Sequence, residues 1–401
     1  MKRPAAYLKL HNHLALKLAK KKLVTVRMHG ATSAARVLVY YKSDPFTRGY
    51  LHDHRHTNIW EVRTMVGILN RLGFTVDVLD RTGAAAFVAK HPYQVFIGLG
   101  SDDSGQHFPR IAQQLPKAVR IMYATCMEPA SRNAAVLDRY QSFNARHGRM
   151  LPPRRLVRHL DADAVRRYAD FIFYIGNDNT RATYNRYEKP TLRIFPSTTP
   201  KLRLTARSLD PARKNRFLFF SGTGNILKGL DLALEAFAQL PQYTLYICTQ
   251  IEPDFAHFYK QLLHRTPNIR TEGIVSPLGR RFQQLTEQCG YALLPSAAEG
   301  TTTSVATCMR RGLVPVVTPN SGLDIRPFGQ EIAAGTVAGV VDACRAAAGR
   351  SDEAFRTAVR QTYRASFAYT QESFVASFTD ALLQVCEQKR LLMTPPHAIT
   401  L

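Results

Sequence analysis

The chain has 401 residues, enough for two domains, and 45% of them are hydrophobic, ample for two cores. Its 54 Lys and Arg against 30 Asp and Glu give a net charge of +24, which admits a nucleic acid, an anionic membrane surface or an acidic substrate as partner. No apolar run reaches the roughly 18 residues of a membrane span, and the basic N-terminus lacks the apolar core and cleavage site of a secretory signal. Cysteines 126, 248, 289, 308, 344 and 386 form no C-x-x-C pair, so the expectation is a cytoplasmic protein without a disulfide framework or a zinc site.

Met1–Arg36, a basic extension, holds nine Lys and Arg and no acidic residue. Within it Tyr7–Leu23 has the pattern of a basic amphipathic helix for an anionic membrane, or of a solvated tail. Residues 37–200 predict an N-terminal domain that begins with a strand at Val37–Tyr41. A long loop, Lys42–Thr57, carries His52, His54 and His56. No further ligand cluster accompanies these histidines, so the loop is expected to face an acceptor or the other domain rather than a metal. The next helix, Asn58–Leu72, shows apolar residues at Ile59, Val62, Val66 and Leu69, and Gly73 ends it. Asn58, Trp60 and Glu61 stand at its start, facing the expected cleft. Asn58 is a candidate acceptor contact, and Trp60 is read as core packing.

Strands follow at Thr75–Leu79, Tyr93–Leu99 and Val119–Thr125. The pattern strand, loop, helix, strand predicts a Rossmann-like half. Glu128, beyond the carboxyl end of the last strand, is a candidate acceptor contact or acid/base. Arg149, Arg154, Arg155 and Arg158 form a cationic cluster that suits a charged acceptor or plain solvent. Strands at Asp170–Ile175 and Leu192–Phe195, with a helix over Asn177–Arg186 between them, complete the domain. The basic, proline-bearing stretch 201–215 is the expected linker.

The second domain, 216–352, contains two loops of the same kind. Phe217–Phe220 is an apolar strand, Ser221–Asn225 a glycine-bearing turn, and Lys228-Gly229 precedes a helix marked by Leu230, Leu234 and Phe237. Small residues allow close approach of a backbone to a diphosphate, and lysine supplies a point charge. The strand Tyr291–Leu294 likewise ends in Pro295-Ser296 and a turn at Glu299-Gly300. Thr301, Thr302, Thr303 and Ser304 offer hydroxyls to cap the short helix that follows, Gly312 ends it, and Leu313–Thr318 returns as a strand. A loop at the carboxyl end of a parallel strand favours an anion, and Glu299 beside it is placed for sugar hydroxyls. Segment 353–401 is helical.

These residues resemble the large group 1 family of retaining glycosyltransferases with two Rossmann domains, the GT-B type. The likeness rests on SGTGNILKGLDLALEAF (Ser221–Phe237), PNIRTEGIV (Pro267–Val275) and LLPSAAEGTTTSVATCMRRGLVPVVTPNSG (Leu293–Gly322), in the family's order. It covers about 217–322 clearly. Two positions depart: the family's second glutamate is Thr307 here, and the arginine of its first loop is Thr223. The resemblance implies an α/β fold with two parallel-sheet domains facing a cleft and a C-terminal helix, within 353–401, crossing back onto the first domain. It implies a nucleotide-diphosphate sugar in the second domain, held by Gly222, Thr223, Gly224, Asn225, Ile274, Gly300, Thr301, Thr302, Thr303 and Thr307, with Lys228 and Glu299 as the catalytic pair. It implies transfer with retention to a glycan or lipid-linked acceptor, with neither metal nor bound cofactor.

Two other classes compete. An epimerase on the same scaffold needs acid/base groups facing the donor sugar. A binding subunit that keeps the donor site without turnover is suggested by Thr223 and Thr307. Nucleic-acid binding predicts a recognisable module, and the sequence shows none, so membrane and substrate rank above it as the reason for the positive charge.

Overall fold

A computed structural model describes residues 23–27, 35–46, 57–100, 104–148, 150–199 and 202–391. The helix expected from Tyr7, the histidine loop and Arg149 fall outside these ranges. The first half contains β1 (Leu23–Val26), β2 (Arg36–Tyr41), α1 (Thr57–Arg71), β3 (Thr75–Asp80), β4 (Val95–Leu99), α2 (His107–Gln113), β5 (Val119–Ala124), α3 (Pro129–His147), α4 (Ala162–Tyr168), β6 (Phe171–Tyr174), α5 (Asp178–Thr183) and β7 (Thr191–Arg193). The second half contains β8 (Arg216–Phe220), α6 (Leu230–Ala238), β9 (Thr244–Cys248), α7 (Pro253–Phe258), α8 (Lys260–Arg265), β10 (Ile269–Thr271), α9 (Arg280–Gln288), β11 (Tyr291–Leu294), α10 (Thr303–Met309), β12 (Val314–Val317), β13 (Gln330–Glu331), α11 (Val337–Ala348), α12 (Asp352–Ala365) and α13 (Gln371–Gln388).

Each half builds its own sheet. The first has seven strands in the order β1-β3-β2-β4-β5-β6-β7, the second six in the order β10-β9-β8-β11-β12-β13. Every pairing is parallel except β1 on β3. The central strands are apolar runs buried on both faces, as parallel strands covered by helices must be. In the second sheet the order reverses between β8 and β11, whose following helices leave in opposite directions. A crevice therefore opens at their carboxyl ends, the place where open α/β sheets bind ligands.

Three expectations about boundaries change. The basic extension is not all tail: Leu23–Val26 closes the sheet edge, with Thr25 Oγ1 donating to Asp77 at 2.6 Å. The linker is docked rather than free. Arg213, only 2% exposed, donates to the carbonyls of Thr286 (2.8 Å) and Cys289 on the second domain. The crossing back starts later than residue 353. Phe355, Ala358 and Val359 of α12 pack in the second core, and only α13 returns, burying Phe374, Phe378, Leu382 and Val385 in the first. Trp60 packs edge-on against Phe374, with ring centroids 5.8 Å apart, in keeping with its core reading.

Helix α3 belongs to the first half by sequence, but its apolar face joins the second core through Val136, Tyr140 and Phe143. Its polar groups are matched on the same side. Both terminal nitrogens of buried Arg139 donate to the Pro295 carbonyl at 3.0 Å. Arg146 meets fully buried Asp231 at 2.7 Å and Glu235 at 3.2 Å. The helix thus packs on the second domain, while its N-cap Glu128 accepts from Tyr187 of the first at 2.8 Å.

Candidate active site

Lys228 lies at the exit of the loop after β8, and Glu299 lies in the loop after β11. The reversal of strand order places these loops side by side. The Lys228 ammonium forms an ion pair with Glu299 Oε1, and the Ser296 hydroxyl donates to the same oxygen at 2.5 Å. The two side chains are 16% and 13% exposed, buried enough for their charges to act strongly yet open to a ligand. Glycine makes this approach feasible. A Cβ at Gly229 (φ +76°) would lie 2.3 Å from the Pro295 carbonyl oxygen. One at Gly300 would lie 2.3 Å from the carbonyl oxygen of Thr125 and 2.9 Å from that of Ile175, both in the first domain. The Met127 amide donates across the same seam to the Glu299 carbonyl at 3.1 Å. The pair therefore faces the carboxyl ends of β5 and β6.

The other candidate residues divide sharply. Gly222 is exposed, with open space where a Cβ would stand and its carbonyl accepting from Thr249 Oγ1 at 2.6 Å. Thr223 accepts a hydrogen bond from Arg155 Nη2 of the first domain. The amides of Gly224 and Asn225 both point at the Glu252 carboxylate, at 3.1 and 3.4 Å, so they are not free for an anion. Asn225 is fully buried. Its side chain donates to Gln250 O at 3.1 Å and accepts from Glu252 N at 2.8 Å, which makes it a fastener between two loops. Ile274 is 79% exposed on its turn.

Around α10, Thr301 Oγ1 donates to the Gly322 carbonyl at 3.1 Å. Thr302 is the N-cap, but its hydroxyl makes no capping bond and is buried without a partner. The expected capping bond from a threonine hydroxyl is thus not made, and the Thr302 amide donates to Ser321 O at 3.0 Å. Thr303 is the first helical residue. Thr307 is buried and donates to the Thr303 carbonyl at 2.7 Å, the back-bond a mid-helix threonine commonly makes. Its proton is therefore directed into its own helix.

In the first domain, Glu128 is 1% exposed and works as the N-cap of α3. It accepts from Ser131 N at 2.8 Å and from Tyr187 Oη at 2.8 Å. This saturation places it in the scaffold and not in the cleft. Asn58 lies beside Tyr41, and its Oδ1 is buried without a partner. Glu61 is 3% exposed. Burial pushes its carboxyl up to about 7, although Ser197 N and Oγ donate to it at 2.7 and 3.1 Å. Glu252 and the contact of Arg155 with Thr223 are long-range features that no local motif announces. Among the described residues no group of three or more His, Cys, Asp or Glu side chains could hold a metal, and no helix is long and apolar enough to cross a membrane.

No family model and no curated protein matches this chain. Solved structures do. Sucrose-phosphate synthase from Thermosynechococcus elongatus superposes with a TM-score of 0.60 at 13% identity, covering 88% of this chain and 100% of that one. HepE of Anabaena, solved with UDP and glucose, gives 0.56 at 12% identity, with 88% and 100% coverage. WaaG, a glycosyltransferase involved in lipopolysaccharide biosynthesis, gives 0.54 at 13%, with 86% and 98%. The fold is GT-B. In this GT-B chain the Lys228–Glu299 pair sits at the strand-order reversal of the second domain, opposite the first.

Proposed function

We propose that the protein is a glycosyltransferase that moves a sugar from a nucleotide-diphosphate donor to a glycan or lipid-linked hydroxyl acceptor, with retention and without a metal. The observation that carries this reading is the Lys228–Glu299 pair in the crevice between β8 and β11. An ammonium there is suited to the charge that builds on a departing diphosphate, and a preorganised cation in a water-poor cleft acts mainly on the transition state. The carboxylate, already oriented by Ser296, is suited to the hydroxyls of the donor sugar. The acceptor enters from the first domain, and the close seam at Gly300 limits water that would hydrolyse the donor. A donor phosphate oxygen serves as the base. HepE was solved with UDP and glucose, which makes uridine-diphosphate sugars the first donors to try. WaaG's part in lipopolysaccharide biosynthesis favours a lipid-linked glycan among acceptors. The basic N-terminus suits a cytoplasmic enzyme working at the inner face of an anionic membrane.

A second reading, a binding subunit without turnover, is favoured by the engaged Thr307 hydroxyl and by Glu252 on the loop amides. One experiment separates the two. Purified protein is incubated with a panel of labelled nucleotide-diphosphate sugars, and released nucleotide diphosphate is followed for wild type, Lys228→Ala and Glu299→Gln. The expected result is release by wild type and a loss of about a hundredfold or more in each variant. Donor binding by folded wild type with no release in the presence of candidate acceptors establishes the second reading instead.

A further inference from the structure

We propose that Arg155 is the second cation of the diphosphate site, supplied by the strap that follows α3 and not by the glycine loop itself. This rests on reading the crevice as a nucleotide-diphosphate site. Arg155 belongs to the strap that runs from the end of α3 to α4. The strap is tied to α3 by Asn133, whose side chain donates to Val157 O at 2.8 Å and accepts from Val157 N at 2.9 Å, and to the first domain by His159 N on Ser104 O at 3.1 Å. Before these ties it lies on the second domain, with Leu151 and Leu156 packed against that core. Arg154 pairs with Asp254 at 2.5 Å, and Arg155 donates to Thr223 in the glycine loop.

Four observations point the same way. A Cβ built on Gly224 would lie 3.4 to 3.6 Å from Nε, Cδ and Cζ of Arg155, so the arginine lies directly over that glycine. Arg155 has φ of 65°, a left-handed backbone that an arginine adopts only when its surroundings hold it there. The Arg155 carbonyl is held by Arg132 Nη2 at 2.9 Å. Finally, the charges around it are assigned: Lys228 is bound to Glu299 and Arg154 to Asp254, while no ion pair is found for Arg155 among the described residues. Its present partner is a neutral hydroxyl, which a phosphate oxygen replaces with gain.

The loop chemistry makes a side-chain cation necessary. The Gly224 and Asn225 amides are directed to Glu252, so the backbone of that turn supplies little positive potential. A guanidinium presents a planar fork to phosphate oxygens and binds two at once. Arg155 is held on the glycine-loop side of the cleft, since Leu151 and Leu156 of the same strap pack against the second core.

The test uses full-length protein and isothermal titration with UDP, GDP and ADP, each beside its monophosphate. Arg155→Gly is the main variant, because glycine accepts the left-handed backbone readily while the whole side chain, guanidinium included, is removed. The expected result is a Tm no lower than wild type and diphosphate binding weakened by about tenfold or more, with the matching monophosphate changed by less than about threefold. Arg155→Lys restores part of the loss, and Arg154→Ala, on the same strap, leaves diphosphate binding near wild type. Equal diphosphate affinity in wild type and Arg155→Gly overturns the role of Arg155 and leaves the site reading standing. An equal loss for both phosphates overturns it too. Wild type that binds none of the nucleotides overturns the site reading and the role of Arg155 together.

Discussion

Glu61 offers a measurement that needs no substrate. Its carboxyl is raised from 4.5 to about 7, first by burial, with the Ser197 hydrogen bonds and Lys42 opposing. The folded protein therefore keeps a proton on Glu61 between these pH values, where the unfolded chain has released it. Stability from this group is full below about 4.5, declines as pH rises, and is lost above 7. A difference of that size corresponds to about 3 kcal/mol at 1.36 kcal/mol for each pH unit. Glu61→Gln removes the titration, and its amide oxygen can still accept from Ser197. Trp60 is the neighbouring residue and the single tryptophan of the chain, so its fluorescence reports unfolding of this domain. Urea titrations from pH 5 to pH 8 should show wild type losing about 2 to 3 kcal/mol relative to Glu61→Gln, with the variant the more stable at pH 8. Parallel pH profiles for the two proteins refute the assignment, because every other titrating group is common to both.

Gly300→Ala tests the seam between domains. The new methyl lands 2.3 Å from the Thr125 carbonyl oxygen and needs a displacement of about 1 Å, enough to cost turnover about a hundredfold; small-angle scattering should show a larger radius of gyration, and an unchanged radius with full activity contradicts the close seam. Arg139→Met removes the two donors to the Pro295 carbonyl and leaves that oxygen and Asp231 less well matched. A loss of about 2 to 3 kcal/mol is expected in urea unfolding, and a change below about 0.5 kcal/mol means that the contact is not maintained in solution.

The architecture was legible where one chemical rule governs a run of residues. Apolar strands, glycine turns and helix faces marked both sheets, and the pairing of Lys228 with Glu299 follows once two loops of one kind are recognised at neighbouring strand ends. What stayed hidden depends on long-range partners. Asn225 reads as a ligand contact until Glu252 and Gln250 are seen to occupy it. Glu128 reads as a cleft acid, yet Ser131, three residues on, was a local clue to a helix cap. Thr307 stands where a sugar contact is expected, and its back-bond needs only its own helix. The arginine cluster at 154–158 was visible, but nothing local says that Arg155 bends toward the other domain while Arg154 pairs with Asp254. The short strand at Leu23–Val26 was masked by the basic run before it.

Helix α3 fills the second core with side chains made before that domain, and α13 fills the first core with side chains made after both sheets. On the ribosome, Phe143 must wait for Phe258 and Tyr259, against whose rings it packs, which at about 5–20 residues per second means on the order of ten seconds with an apolar stripe uncovered. The first core waits longer still, until Phe374, Phe378 and Leu382 emerge. The halves therefore do not mature one after the other along the nascent chain, and a truncated chain ending near residue 350 would leave the early half unfinished.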